Sequence, residues 1–429
     1  MKIRLARVED APAISIVHID SWRTSYRGIV PDRVLDSLDY VRNNMRWREM
    51  LSNLGLAYRN SGLMEDAIKW FVKATTHKEP VAGAFTNYAS CFVEKGDPER
   101  AIELLNTALE MDESIPMSHW NLALALLETG QWERGWKEYE YGMAPGGLRP
   151  DRQLGDLPLW DGSAGKRVIV WGEQGIGDEI MFASMLPDML KTNEVIFDCH
   201  PRLVKLFEHS FGIKCYGTRK VPETPWLTGE QADARVAIGS LGKFYRNQKA
   251  DFPGTPYLKA DPLLPPSRKL RVGISWTGGR FSDRVATRTV PLSWWSSILN
   301  NDCEFVSLQY TDCEKEIEIV EKANGYTIRQ FPEVKADDYY ETARLVASCD
   351  LVISVCTSVV HLAGALGVPC WVMVPRKPAW RYGYKGRNPW YRSVRQYRQP
   401  EATDDSWIDV VARVGLDLSD YLAAQRKVA

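Results

Sequence analysis

A period of 34 residues runs through the first third of the chain and limits its fold more than any other feature. Counted from Arg48, small residues recur at Gly55, Ala89 and Ala123, and glycines at Gly62, Gly96 and Gly130. Ala67, Ala101 and Gly135 follow in register, then Phe71, Leu105 and Tyr139, then Ala74, Ala108 and Gly142. Leu54, Tyr88 and Leu122, with Tyr58, Phe92 and Leu126, hold the large apolar positions. A unit of this length cannot bury its apolar face alone, so copies must stack on one another. Three copies fit, at 48–81, 82–115 and 116–149.

This pattern resembles the tetratricopeptide repeat, whose two helices cross through small residues with large ones beside them. The resemblance implies a short right-handed solenoid with a concave face. Asn53, Asn87 and Asn121 occupy one position of its first helices. Facing inward they form a ladder of amides that can grip an extended peptide. The competing reading is that asparagine is simply frequent at that repeat position.

Beyond the repeats the residues 143–158 are dense in Pro and Gly and read as a linker. Short apolar runs then alternate with helix-like stretches, as in βα units around a parallel sheet. Strands are expected at 168–171, 195–199 and 235–238. After a second proline-rich joint, Asp261-Pro-Leu-Leu-Pro-Pro266, they follow at 271–276, 304–309, 326–330, 351–354 and 370–374. Helices are expected at 292–300, 312–323, 337–348 and 358–366. The fold class is therefore α plus α/β: a helical solenoid at 48–149, then two Rossmann-like domains at 150–262 and 263–400. A C-terminal helix closes the chain at 401–429. The cleft at the carboxyl strand ends is the default site.

Charge and composition exclude other classes. Lys plus Arg number 54 against 55 Asp plus Glu in 429 residues, without the basic excess that binding a phosphate backbone demands. No window approaches the ~18 apolar residues of a membrane span. Charges interrupt the first ten residues, where an export signal needs an apolar core. Eight cysteines form no Cys-x-x-Cys pair and suit buried thiols in a reducing cytoplasm. A cytoplasmic location is expected.

Four elements can carry chemistry. Trp171-Gly-Glu-Gln-Gly-Ile-Gly-Asp178 joins a strand to a helix expected near Glu179. Its glycines leave N–H groups free for an anionic or polyhydroxy ligand, although Asp178 reads equally as a helix N-cap. Cys356-Thr-Ser358 ends a buried strand at a helix start, where hydroxyls and N–H groups suit a phosphate, and His361 follows in the first turn. A lone histidine is more often structural. Ser275-Trp-Thr-Gly278-Gly-Arg, with Arg284 and Arg288, makes a diphosphate clamp or a solvated basic loop. Trp380-Arg-Tyr-Gly383 and Asn388-Pro-Trp-Tyr-Arg392 place aromatics beside arginines, for stacking on a base or sugar or for packing between domains.

Together these elements resemble one family. From Leu159 to Gln399 the chain is similar to the glycosyltransferase domain fused to tetratricopeptide repeats in bacteria, related to heptosyltransferases of glycosyltransferase family 9, with GT-B architecture. The matching stretches are 171–178, Phe305-Val-Ser-Leu-Gln309, His361-Leu-Ala-Gly-Ala-Leu-Gly-Val-Pro369, Trp380–Gly383 and Pro389-Trp-Tyr391. The resemblance implies an inverting glycosyltransferase using a nucleotide-sugar donor. Asp178 is then the candidate base, with His361 a second catalytic candidate. Gly278, Arg284, Arg288, Gln309, Cys356, Thr357, Ser358, His361 and Trp380 would bind the donor. Glu173, Gln174, Gly175 and Gly177 would bind the acceptor, with Asn53, Asn87 and Asn121 gripping a protein or peptide acceptor, as in the ladder of tetratricopeptide-bearing O-GlcNAc transferases. Relatives have Asp where this chain has Cys356, so a direct carboxylate contact to the sugar is missing. No Asp-x-Asp motif occurs, which fits a transferase needing neither metal nor cofactor. The alternative is a scaffold protein with a degenerate transferase domain.

Residues 1–47 resemble the opening of GNAT acetyltransferases, in Ile3–Ile14 and Ser21–Asp32. The acetyl-CoA loop of that family has no counterpart afterwards. The segment is expected to be mostly helical and to cap the solenoid without acetyl transfer.

Overall fold

A computed structural model describes residues 11–25, 27, 35–36, 40–77, 79–278, 287–335, 337–400 and 405–428. The chain divides into two compact units, Met1–Leu126 with Ala144–Leu148, and Leu127–Met143 with Arg149–Ala429.

The first unit is helical. Helix α1 spans Ala11–Ser25, α2 Tyr40–Asn60, α3 Met64–Thr75, α4 Ala82–Lys95 and α5 Pro98–Met111; α6, Pro116–Thr129, crosses the unit boundary. Helix α2 runs without interruption past residue 47, so the N-terminal segment flows into the first repeat instead of stopping before it. Gly62, Gly96 and Gly130 take φ of 77°, 73° and 84° between paired helices, a left-handed conformation that costs side-chain-bearing residues most. Asp97 caps α5 by accepting from Arg100 N at 3.1 Å, with Pro98 in the first turn. Ala67, Phe71, Ala89, Leu105 and Leu122 are buried in one core, as their register demands. Asn87 Nδ2 donates to Ser52 Oγ at 3.0 Å, so this amide ties α4 to α2.

The second unit starts with the last repeat helix, α7, Trp132–Glu140. Two parallel sheets follow. The first contains β1 Arg167–Trp171, β2 Glu194–Asp198, β3 Lys214–Tyr216 and β4 Ala234–Ala237, in the order β3-β2-β1-β4. The second contains β5 Arg271–Ser275, β6 Glu304–Ser307, β7 Ile328–Arg329, β8 Leu351–Val355, β9 Cys370–Val374 and β10 Val394–Arg398, ordered β10-β9-β8-β5-β6-β7. Every strand pair is parallel. Strands buried on both faces read as continuous apolar runs, and β8 and β9 are buried throughout.

The helices that flank these sheets include α8 Ile176–Phe182, α9 Ser358–Leu366 and α10 Asp405–Val428. Val410, Val411, Val414 and Leu418 of α10 join Trp276, Trp295 and Ile353 in the core of the second sheet. The terminal helix is thus part of that domain's core, because its apolar residues recur at helical spacing on one face. No helix is long and apolar enough to cross a membrane among the described residues.

Candidate active site

Strand order reverses at β1, which lies between β2 and β4, and again between β5 and β8. The loops leaving these strands diverge to opposite faces and open a crevice at the carboxyl ends. A cavity of about 360 Å³ lies there, reached by both loops, in the size range of small-molecule sites.

The first wall is the glycine-rich loop. Helix α8 begins at Ile176, with Gly175 as its N-cap, three residues before the start read from sequence. Asp178 is accordingly the third helical residue, not the cap. Its Oδ2 accepts from Gly175 N at 3.1 Å, the returning half of a capping box. Its Oδ1 accepts from Arg381, forming an ion pair. Gln174 has φ of 62°, a conformation held by flanking bonds: its carbonyl accepts from Arg219 Nη2 at 2.7 Å, and its side chain donates to Tyr139 Oη of α7.

The second wall is the start of α9. Thr357 caps it, accepting from Val359 N at 3.2 Å, and Tyr339 Oη donates to Ser358 Oγ at 2.9 Å. His361 is buried, its Nδ1 at 3.1 Å from Tyr391 Oη. Burial, and then the nearby Arg381, push its imidazole down to about 3, so the ring is neutral at ordinary pH. Burial pushes the Cys356 thiol up to about 11, so that position also carries no charge. The walls meet at Gly177, where a Cβ would lie 3.1 Å from His361 Cδ2 and 3.4 Å from Ser358 Cα. Glycine there lets one loop approach the backbone of the other.

Gln174, Gly175, Gly177, Asp178, Arg288, Cys356, Thr357, Ser358 and His361 all line the cavity. Four other candidates have different work. Glu173 is buried against Arg149, with Nε–Oε2 and Nη2–Oε1 both 2.8 Å, and accepts from Gly239 N at 2.9 Å; its carboxylate is consumed behind the loop. Gln309 Oε1 accepts from Ser275 Oγ, Trp276 N and Thr277 N at 3.1–3.2 Å, fastening β6 to the end of β5. Trp380 packs edge-on to Trp136 at 5.8 Å and beside Phe182 and Trp390, so it is core rather than a stacking surface. Gly278 abuts the Cys356 carbonyl, which a Cβ would approach to 3.0 Å. Arg284 lies outside the described residues. Asn53, Asn87 and Asn121 belong to the first unit.

The cavity also has residues the motifs did not assign. Arg202, Arg219, Lys220 and Arg381 line it with Arg288, and among the described residues Asp178 is its single carboxylate. Arg219 pairs with the wholly buried Glu179, whose carboxyl burial pushes up to about 8. Arg202 and Arg219 follow β2 and β3. The second of these strands spans three residues, too short to stand out in the sequence, though the carboxyl-end rule applied to it points to Gly217–Lys220.

Fold and site define the class: tetratricopeptide repeats followed by a pair of parallel α/β domains, with a cationic crevice at the strand ends. Residues 50–81 and 89–146 match models of the tetratricopeptide repeat, and the chain carries these repeats. Protein FlbA of Caulobacter vibrioides (strain ATCC 19089 / CIP 103742 / CB 15) is 29% identical over 414 residues, 87% of this chain and 67% of the relative. A 46-residue stretch is 44% identical to the uncharacterized N-acetyltransferase YuaI of Bacillus subtilis (strain 168), 11% of this chain and 27% of that protein, the kind of protein that residues 1–47 resemble. Among solved structures, a glycosyl transferase family 9 protein from Veillonella parvula aligns over 60% of this chain and 90% of its own, with 11% identity and TM-score 0.40. The E. coli heptosyltransferase WaaC with ADP aligns over 58% and 98%, with 12% identity and TM-score 0.42. An O-GlcNAc transferase from Thermobaculum terrenum aligns over 99% and 93%, with 14% identity and TM-score 0.29.

Proposed function

We propose that the chain is an inverting glycosyltransferase that moves a sugar from a nucleotide-sugar donor to an acceptor hydroxyl without a metal ion. One observation carries the reading. A single cavity has a carboxylate, Asp178, on the first-sheet wall, and Arg288 with the capped N-terminus of α9 on the second. A helix start and an arginine together suit a diphosphate. The carboxylate on the opposite wall supports an acceptor bound on that side.

In the reaction Asp178 takes the proton of the acceptor hydroxyl as its oxygen bonds to the anomeric carbon. The bond from that carbon to the phosphate oxygen breaks, and the electron pair leaves with the nucleoside diphosphate, whose charge meets Arg288 and the α9 N–H groups. Attack opposite the leaving group inverts the anomeric centre. The imidazole of His361 is uncharged and therefore a poor acid, so we assign it a hydrogen-bonding role. The repeats would present a polypeptide acceptor, which the register of Asn53, Asn87 and Asn121 favours.

The test is release of free sugar or its transfer across a panel of nucleotide sugars, with Asp178→Asn as control. Asn still accepts from Gly175 N but no longer neutralises Arg381, so the variant should fold with a lowered melting temperature while turnover falls about 10²–10⁴-fold at a temperature where it is fully folded. Wild-type rates in that variant would remove Asp178 as base. A scaffold reading draws on the uncharged Cys356 position; it predicts nucleotide binding without turnover, or neither.

A further inference from the structure

Arg381 stands on the turn after β9, in the second-sheet domain, yet its Nη2 donates to Asp178 of the first-sheet domain. Its Nε is buried with no hydrogen-bond partner among the described residues. Its guanidinium lies 5.9 Å from the Trp380 ring, and it lines the same cavity as Arg288, Thr357 and Ser358. A planar guanidinium has five donors in a fixed fork, and the Asp178 contact uses Nη2 alone. The titratable groups around it are Asp178, Tyr382, Tyr139, His361, Cys356 and Tyr391. Asp178 is the sole carboxylate in this set, and His361 is neutral.

Resting on the nucleotide-sugar reading of this cavity, we propose that Arg381 is shared between the base and the leaving group of the displacement. Asp178 and the donor's diphosphate compete for one guanidinium, and the arrival of the anion frees the carboxylate to take the acceptor proton. While paired, the guanidinium competes with that proton for the same oxygens. Arg381 thereby acts as a catalytic residue that touches the leaving group, and it makes donor-first binding the productive order. An acceptor arriving first meets a base still engaged.

Competition of this kind is a coupling between two sites, and coupling is reciprocal. If the diphosphate loosens Arg381 from Asp178, removing the Asp178 charge must strengthen diphosphate binding. A residue that merely buttressed the fold would give no such gain.

The experiment is calorimetric titration of the whole chain with ADP, GDP, UDP and dTDP. It compares wild type, Asp178→Asn, Arg381→Met and the double variant, with thermal melts confirming that each is folded. Whichever nucleotide binds wild type should bind Asp178→Asn roughly fivefold or more tightly, although that variant turns over poorly. Arg381→Met should bind it more weakly, and adding Asp178→Asn to Arg381→Met should change nothing. Arg381→Lys, which keeps the charge if the methionine variant does not fold, should retain part of the gain. Equal or weaker binding by Asp178→Asn overturns the proposal, as does a gain that persists without Arg381. If none of the four nucleotides binds wild type, the nucleotide-sugar reading fails first and this inference with it.

Discussion

Glu173 and Arg149 meet in a buried fork of two 2.8 Å hydrogen bonds, Nε to Oε2 and Nη2 to Oε1. Arg149 Nη1 also donates to the Tyr139 carbonyl at 2.9 Å, so one guanidinium ties the glycine-rich loop to the last repeat helix. Removing Glu173 leaves the wholly buried Arg149 with Glu140, 3.1 Å from its Nη1, as the remaining carboxylate among the described residues. Glu173→Ala should therefore cost on the order of 3–5 kcal/mol, read as a lower urea midpoint. Replacing both partners by apolar residues should cost less than the single change. A shift under about 1 kcal/mol for Glu173→Ala would show that water reaches Arg149.

Arg288 lines the cavity and has no ion pair among the described residues. Its loss should leave the fold untouched and weaken the nucleoside diphosphate by the worth of a charged hydrogen bond, about 1.5–3 kcal/mol. Calorimetry on Arg288→Ala should record roughly a 10–150-fold weaker Kd at an unchanged melting temperature. Equal affinity would make it a surface residue.

His361 gives the protein an acid-side weakness. Its folded value of about 3 lies below the ordinary 6.5, so between those limits the unfolded chain takes a proton that the native state refuses. The contribution is whole above pH 6.5 and drains away as pH falls toward 3, reaching on the order of 2 kcal/mol lost by pH 5. Glu179 acts in the opposite sense: its carboxyl sits near 8, so its contribution declines as pH rises from about 4.5 to 8. The comparison is therefore His361→Asn against wild type at each pH. The variant should lose less stability between pH 7 and 5 in chemical denaturation; parallel losses would mean that His361 is solvated.

Asn53, Asn87 and Asn121 offer a separation of functions. Changing all three to Ala should slow modification of a protein acceptor while donor hydrolysis, which needs only the second unit's cavity, continues at the wild-type rate. Asn87 also bonds to Ser52, so a melting curve must accompany the assay. Unaltered use of a native protein acceptor would end the peptide-ladder idea.

Much of this architecture could be read in advance because it rests on periodicity. The 34-residue register marks the paired helices, and runs such as Leu351–Val355 and Cys370–Val374 are apolar throughout because both faces are covered. Short edge elements escaped: β3 is three residues, and β10, Val394–Arg398, has three polar residues, Arg395, Gln396 and Arg398, among its five. Sites followed the same division. Glycines and a carboxylate after a strand mark Asp178, whereas Glu173 and Gln309 lie in equally suggestive motifs and are spent on internal bonds. Nothing local distinguishes a carboxylate facing a cavity from one turned back onto Arg149, since that choice depends on a partner 24 residues away. Arg381 sat unassigned inside a motif of aromatics because its partner is 203 residues distant.

Helix α7 completes the third repeat by sequence, yet Trp136 donates to the Arg246 carbonyl at 2.8 Å and packs on Trp380 and Phe182. The seam along which this chain can be recombined thus does not coincide with the seam between its repeats. Solenoids lengthen or exchange partners by swapping whole copies, but here the final copy is half adaptor and half foundation. New repeats can be spliced in ahead of it, and any graft that replaces α7 takes away a wall of the α/β domains along with the helix.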